Sequence, residues 1–399
     1  MAGPAPRVKP LDGVRVLDLS RMVAGGVAGM LLADFGADVV KVEQPGSGDP
    51  LRQWTTDGQA FWWKVYGRNK RFVTLNLKSA GGRALLLRVL PQFDVVMESF
   101  VPGTLERMDL APAKLQARHP GLVILRISGW GQTGPGAARP GFGTLVEAAS
   151  GFAAMNGEPN GAPIVPGFPL ADTTSALYAV NAIMFALYHR DVHRGPGQVI
   201  DLSLFESLFS LLGPLSAEYT ALGMTRSRSG SRSRNAGPRG CYRTQDGGWI
   251  AVSGSTPKMA ERFLCAYGME TMLADPRFAT NEARVIHAGE LDAAIADVIG
   301  ARTLEQNLAI IEQYKLTAGP VHTVADIERD PHWRARLLTV DVPDHGESVR
   351  MHNVVPRLSA TPGEIQWTGG ALGQDNQTVY RELGISCDEQ KQLMSTGVI

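Results

Sequence analysis

The chain has little cysteine and no surplus of charge. Its three cysteines, Cys241, Cys265 and Cys387, are far apart, odd in number and outside CxxC spacing. They offer neither a disulfide framework nor a zinc site, and the expectation is buried or inert thiols in a reducing compartment. Lys plus Arg equals Asp plus Glu at 39 each, so no overall field draws the protein to nucleic acid or to an anionic membrane. Any anion site is local. No run of about 18 apolar residues occurs, and the Met1–Pro10 stretch lacks the apolar core of a secretory signal. These absences lead to the expectation of a cytoplasmic protein. What is present, 44% hydrophobic and 20% charged residues over 399 positions, is the composition of a globular protein of two domains, or of one domain with a large insertion.

The first hundred residues alternate strand and helix patterns. Val14–Ser20 reads as a strand, Ala24–Gly36 as a loop and helix ending at glycine, and Ala37–Glu43 as a second strand. Ala24, Gly26 and Gly29 occupy the three positions of a dinucleotide fingerprint, and Glu43 stands where a ribose-binding acid would. Two readings remain open: a nicotinamide cofactor, or glycines that let the helix pack closely on the sheet. The polar loops that follow, with Arg52 and with Arg68-Asn-Lys-Arg71, argue against nicotinamide; their cations suit an anionic ligand or a solvated loop. Further strands at 72–78, 94–98 and 122–128 complete an α/β, Rossmann-like, doubly wound domain, which binds ligands at the carboxyl ends of its strands. After the strand at 122–128, glycine is dense at Gly129, Gly131, Gly141 and Gly143, around Phe142. Such loops bring backbone N–H groups close to an acyl or phosphate oxygen, or are simply tight.

Asp172 stands at the mouth of a long apolar stretch, Thr173 to about His189, which reads as a central buried helix. An Asp there is ordinarily a helix N-cap. The same N–H groups keep a carboxylate ionised, as a nucleophile requires. His189 and His193 have metal-like i, i+4 spacing, but Arg190 follows the first and no third ligand is near, so no metal is assigned. The basic, serine-rich stretch from Thr225 to Gly240 reads as a linker that carries local positive charge, with RNA binding disfavoured by the lack of interleaved aromatics. The organisation expected is a large domain over 1–208, a linker over 209–240, a small α+β domain over 241–325, and a return segment over 326–399 that packs on the large domain.

Taken together, Pro10-Leu-Asp-Gly-Val-Arg-Val-Leu-Asp-Leu, Asp34-Phe-Gly-Ala-Asp-Val-Val-Lys-Val-Glu, Gly46-Ser-Gly-Asp, Arg68-Asn-Lys-Arg, Phe100-Val-Pro-Gly, Gly195-Pro-Gly-Gln and Leu372-Gly-Gln form an ordered series. In that series the chain resembles the family III CoA-transferases, the group of formyl-CoA and carnitine CoA-transferases and α-methylacyl-CoA racemase. The resemblance implies that Asp172 is the nucleophile. It places coenzyme A contacts on Val23, Ala24, Gln44, Leu75, Lys78, Ser99, Phe100, Arg107 and Met108, with Lys78 and Arg107 pairing with phosphates. Coenzyme A is then a substrate and no cofactor is held permanently. Gly129, Gly131, Phe142 and Gly143 become the oxyanion and substrate loop.

The resemblance also implies an interlocked homodimer, and a reaction that moves CoA from an acyl-CoA donor, such as succinyl-CoA, to a carboxylic or dicarboxylic acid through aspartyl anhydride and aspartyl-CoA thioester intermediates. The cations of Arg226–Arg243 suit a dicarboxylate. Ser99 stands where the family usually has Asn, Gln44 where the formyl enzyme has a basic residue, and that enzyme's run of loop glycines is missing, which argues against oxalate and formate. A racemase is the first alternative, but its relatives place a histidine upstream of the aspartate, and none occurs between His119 and His189. A CoA-binding subunit that needs a partner chain is the second.

Overall fold

The structure is a computed structural model and describes residues 8–399; residues 1–7, which include most of the stretch read above for a secretory signal, lie outside it. The chain forms two compact units. The first comprises the chain up to Phe152, Val165–Pro214 and Leu337–Ile399; the second comprises Ala153–Ile164 and Leu215–Arg336.

The first unit is built on six parallel strands, β1 (Arg15–Asp18), β2 (Asp38–Glu43), β3 (Arg71–Thr74), β4 (Val95–Glu98), β5 (Val123–Ser128) and β6 (Val199–Ser203), in the order β3-β2-β1-β4-β5-β6. This is the doubly wound order with its reversal between β1 and β4. β4 and β5 are buried along their whole length, as expected of near-continuous apolar strands with both faces covered. The connecting helices are α1 (Met22–Asp34), α2 (Phe61–Tyr66), α3 (Ala80–Val89), α4 (Thr104–Arg107), α5 (Pro112–Arg118), α6 (Gly143–Ala149), α8 (Leu170–Val192) and α9 (Leu204–Ser210); α7 (Phe152–Met155) lies, but for Phe152, in the second unit. One core joins α1 and α8 to the sheet through Val16, Val27, Ile183 and Leu187; the other lies on the opposite face around Val40, Leu86, Val96 and Tyr380.

The return segment seals the β3 edge. Asp375 and Asn376 accept the Phe72 and Thr74 N–H groups at 2.7 and 2.8 Å, and the Tyr380 hydroxyl donates to the Thr74 carbonyl at 2.7 Å. An open row of strand donors is thereby closed.

The second unit has a three-stranded antiparallel sheet of β7 (Arg239–Arg243), β8 (Trp249–Ser253) and β9 (Ala318–Pro320), packed with helices between Pro257 and Gln313 over a core that includes Ile250, Phe263 and Ile295. The stretch read as a linker, 209–240, carries helix α10 (Leu215–Leu222).

Four sequence expectations are corrected. All three cysteines are exposed. The loop cations are spent inside the protein. Arg68 forms a fully buried fork with Asp34, at 3.1 and 2.7 Å, and Arg71 pairs with Asp38 through Nε at 2.8 Å; Arg52 grips Glu43 at 2.7 Å through both Nε and Nη2. Glu43 is therefore buried in an ion pair and not displayed to a ribose. Finally, α8 is buried along one side only. Its Ala171, Ala179, Ile183 and Ala186 side is core, whereas Leu177, Tyr188, Val192 and, at 72%, Phe185 face outward. At 23 residues α8 is also the one helix among the described residues long and apolar enough to cross a membrane, although its inner side packs against α1, β5 and β6.

Candidate active site

Five of the loops singled out from the sequence follow β1 to β5 and lie along one edge of the sheet, its carboxyl edge. The first leads from β1 into α1. Asp18 at the end of β1 is fully buried, and Lys70 meets it at 3.1 Å. Lys41 lies at 3.1 Å from Asp49 and donates to the Ser20 carbonyl. Burial alone would raise the Asp18 carboxyl, but Lys41 and Lys70 outweigh it and hold the group below its ordinary range. Asp49 accepts the Met22 N–H at 3.1 Å, and Met22 takes a left-handed φ of 64°. Gly29 is required here: a Cβ on it would come within 2.8 Å of Lys70 Nζ. The fingerprint glycine thus admits a buried ion pair. This layer fixes where the first turn of α1 points.

That turn points at Asp172. The Ala24 N–H and the Asp172 N–H both lie near the Asp172 carboxylate and favour its charged form. Asp172 is not the N-cap of α8. The helix begins one turn earlier, with Pro169 as a cap residue that contributes no side-chain hydrogen bond, and Asp172 lies inside the first turn. The side-chain acceptor for that turn comes from α6: Glu147, 2% exposed, accepts the Ala171 N–H at 3.1 Å. Gly143, which opens α6, lies against the nucleophile candidate. Any side chain there would run into Asp172 Oδ2 and lie 3.9 Å from Glu147 Oε1. Tyr66 on α2 completes the surround, its phenol pushed up by burial and by the Asp172 charge.

The balance of these effects sets the protonation of Asp172. Burial and the Glu147 charge raise its pKa from 3.8 to about 6, against the lowering effect of the two N–H donors. Helix ends do not hold this carboxyl in the ordinary range; desolvation wins. It is nevertheless mostly ionised at neutral pH, and more basic than a solvated aspartate.

The other expected residues fall as follows. Val23, Ala24 and Leu75 are buried beneath the edge, while Gln44 and Phe100 are partly exposed on it. Ser99 accepts the Arg21 N–H at 2.9 Å, so its hydroxyl helps to shape the first loop. Lys78 and Arg107 are exposed and, among the described residues, form no ion pair; Met108 lies beside Arg107 at the end of α4. In the glycine loop, the Gly131 N–H is spent on the Ser128 hydroxyl at 3.0 Å, and the Gly129 carbonyl accepts the Phe205 N–H at 3.1 Å. Gly131 is therefore not a free oxyanion donor. Gly129 and Gly141 pass so closely that neither tolerates a side chain, and this contact carries the chain to Phe142, which is exposed, and to Gly143. Gln132, unnoticed in the sequence, has both side-chain amide atoms shielded and without a partner among the described residues. Glu147 and Tyr66 were also missed; each is an unremarkable residue in a short helix pattern, and only the fold brings it to Asp172.

A raised carboxyl has a thermodynamic signature. With a folded value of about 6 against an ordinary 3.8, the native state holds the proton more tightly than the unfolded chain, so the stability this group contributes at low pH is lost as pH rises through about 6. Asp172→Asn should therefore be more stable than the parent above that range, by up to about 3 kcal/mol. The gap should close in acid below the ordinary carboxyl range. Denaturant unfolding of both proteins at the two pH extremes checks this; equal stability at high pH would contradict it.

The family model "CoA-transferase family III" matches residues 11–376. The chain is 41% identical over 397 residues to the succinyl-CoA–D-citramalate CoA-transferase of Chloroflexus aurantiacus, covering 98% of each chain. It is 38% identical to the succinyl-CoA–L-malate CoA-transferase beta subunit of the same organism, over 96% of each. Among solved structures, a CAIB/BAIF family protein from Brucella suis superposes with a TM-score of 0.83 at 32% identity, over 94% of this chain and 100% of that one. With its fold, its ordered motifs and these near full-length matches in agreement, the chain belongs to the family III CoA-transferases.

Proposed function

We propose that the protein moves CoA from succinyl-CoA to a dicarboxylic acid, with Asp172 as the nucleophile. The observation that carries this reading is a partly buried carboxylate at the ligand-binding edge of the sheet, with Gly143 making room for its Oδ2 and no ion pair to it among the described residues. Asp172 attacks the thioester carbonyl, a C–O bond replaces the C–S bond, and the electron pair leaves on the CoA thiolate. The thiolate then attacks the aspartyl carbonyl of the anhydride, releasing the donor acid and leaving an aspartyl-CoA thioester. The acceptor carboxylate repeats the two steps in reverse. A thioester is exchanged for a similar one, so neither ATP nor a metal enters the balance. Racemisation is disfavoured, because the racemase relatives place a histidine upstream of the aspartate and none occurs between His119 and His189.

Coenzyme A lies, in this reading, along the edge formed by Val23, Ala24, Gln44, Leu75, Ser99, Phe100 and Met108, with its phosphates met by Lys78 and Arg107, which form no ion pair among the described residues. Gly129 and Gly143 line the acyl end beside Phe142.

The acceptor class is supported by the names of the relatives, since citramalate and malate are dicarboxylates. The second unit has a cavity of its own, of about 860 Å³, lined by Arg226, Arg232, Arg234 and Arg239 among serines and glycines. Arg226 is tied to Glu218 and Arg232 to Asp292, whereas Arg234 and Arg239 form no ion pair among the described residues. The outward apolar side of α8 is the surface an interlocked second copy would cover. The free, exposed thiols fit a reducing compartment, the cytoplasm.

Two measurements test this reading. Succinyl-CoA incubated with malate or citramalate should yield the exchanged thioester by mass spectrometry, and Asp172→Ala should abolish the exchange; undiminished exchange in the variant would overturn the mechanism. Sedimentation of the purified chain should give twice its 42.9 kDa mass. A monomer that turns over only when a second polypeptide is added would favour the heteromeric alternative, in line with the subunit relationship of the malate relative.

A further inference from the structure

Glu147 is the buried charge that the mechanism above leaves unused. It is 2% exposed on α6, accepts a hydrogen bond from the Ala171 N–H at 3.1 Å, and forms no ion pair among the described residues. A buried carboxylate without a cation is costly, and proteins usually pair such a group. Here another carboxylate, Asp172, lies close enough to feel its charge. Glu147 Oε1 and Asp172 Oδ2 approach the same point beside Gly143, the first at 3.9 Å and the second closer still. The groups that face Asp172 are the Ala24 N–H from α1, the Tyr66 phenol from α2, Glu147 from α6 and its own N–H on α8; none is a cation.

We infer that Glu147 is a positioning residue for the transfer: it caps the first turn of α8 through Ala171, and it holds a negative charge beside Asp172 so that acylation of Asp172 relieves a repulsion built into the resting site. The inference rests on Asp172 as the nucleophile and names what drives it. Before attack, the partly buried Asp172 carboxylate and the buried Glu147 carboxylate share one corner beside Gly143. In the attack the Asp172 oxygen forms the new C–O bond, the C–S bond breaks, and the negative charge leaves on sulfur. The anhydride and the aspartyl-CoA thioester are both uncharged at Asp172, so the like-charge cost disappears in each covalent state. The same field makes the free carboxylate more basic, and so a stronger nucleophile than a solvated aspartate. No proton is taken up or released in the step, and Glu147 exchanges nothing with the substrate.

The two roles separate in one substitution. Glu147→Gln keeps the shape and an oxygen acceptor for the Ala171 N–H but removes the charge. The readout is the Asp172–CoA adduct formed from succinyl-CoA, trapped at increasing times, located by peptide mass spectrometry and followed across the acid range. In the parent protein the adduct rate should fall as pH drops through about 6. In Glu147→Gln that acid limb should move to lower pH by roughly half a unit to one unit, and the adduct fraction at equilibrium should drop several-fold. Glu147→Asp, which keeps the charge but withdraws it by one methylene, should place the limb between the two even if packing slows the rate. An acid limb in Glu147→Gln that coincides with the parent's, whatever the rate, would overturn the inference while leaving Asp172 as the nucleophile. Absence of any adduct on Asp172 in the parent would overturn both.

Discussion

A partly buried carboxylate that forms no ion pair among the described residues is the constraint around which this molecule is arranged. Asp172 can be tolerated there because two helix starts, those of α1 and α8, offer it backbone N–H groups, and because Gly143 leaves room where any side chain would collide with it. Those donors lower its proton affinity, but burial and Glu147 raise it by more, and the result is a group that is ionised at neutral pH yet unsettled in its charged form. The stability given up at this one site is set against the remainder of a large, well-packed sheet.

Directing α1 at Asp172 demands a second buried structure. Asp18, Lys41, Asp49 and Lys70 lie beneath the first loop, hold Met22 in a left-handed conformation and leave no carboxylate or cation of the group unpaired. Removing one member would strand a charge in the core, so the network specifies one position for the loop more than it adds net stability. The glycines of α1 belong to the same device. They resemble a phosphate-binding fingerprint because both uses require a backbone that something large can approach closely; here the approaching groups are Lys70 and the Ser20 side chain.

The sheet was legible in the residues because its strands are short, apolar and β-branched, and the alternation with helices leaves few topologies. The nucleophile was legible through ordered motifs rather than through its own surroundings. Judged locally, Asp172 looked like a cap, since an Asp before an apolar run is one more often than not; the helix in fact starts a turn earlier, and the acceptor for its first turn is supplied by Glu147 from another helix. That partner, 24 residues before Ala171, has no local signature. Arg68-Asn-Lys-Arg71 was legible as a motif but not in its role, because Asp34, Asp18 and Asp38, which bind its cations, lie more than thirty residues upstream. The outer side of α8 misled for a related reason. Apolar residues on every face announce burial, but a single chain covers only half of them.

Oxygen exchange tests the central claim most directly. If acid and enzyme carboxylates pass through a shared anhydride, an acceptor acid labelled with oxygen-18 in its carboxylate must leave one labelled atom on Asp172 when the new thioester departs, and the peptide containing Asp172 should become heavier by one oxygen-18 after a single turnover. Transfer of CoA with no label in that peptide would show that Asp172 never bonds to the acid, and would contradict the account.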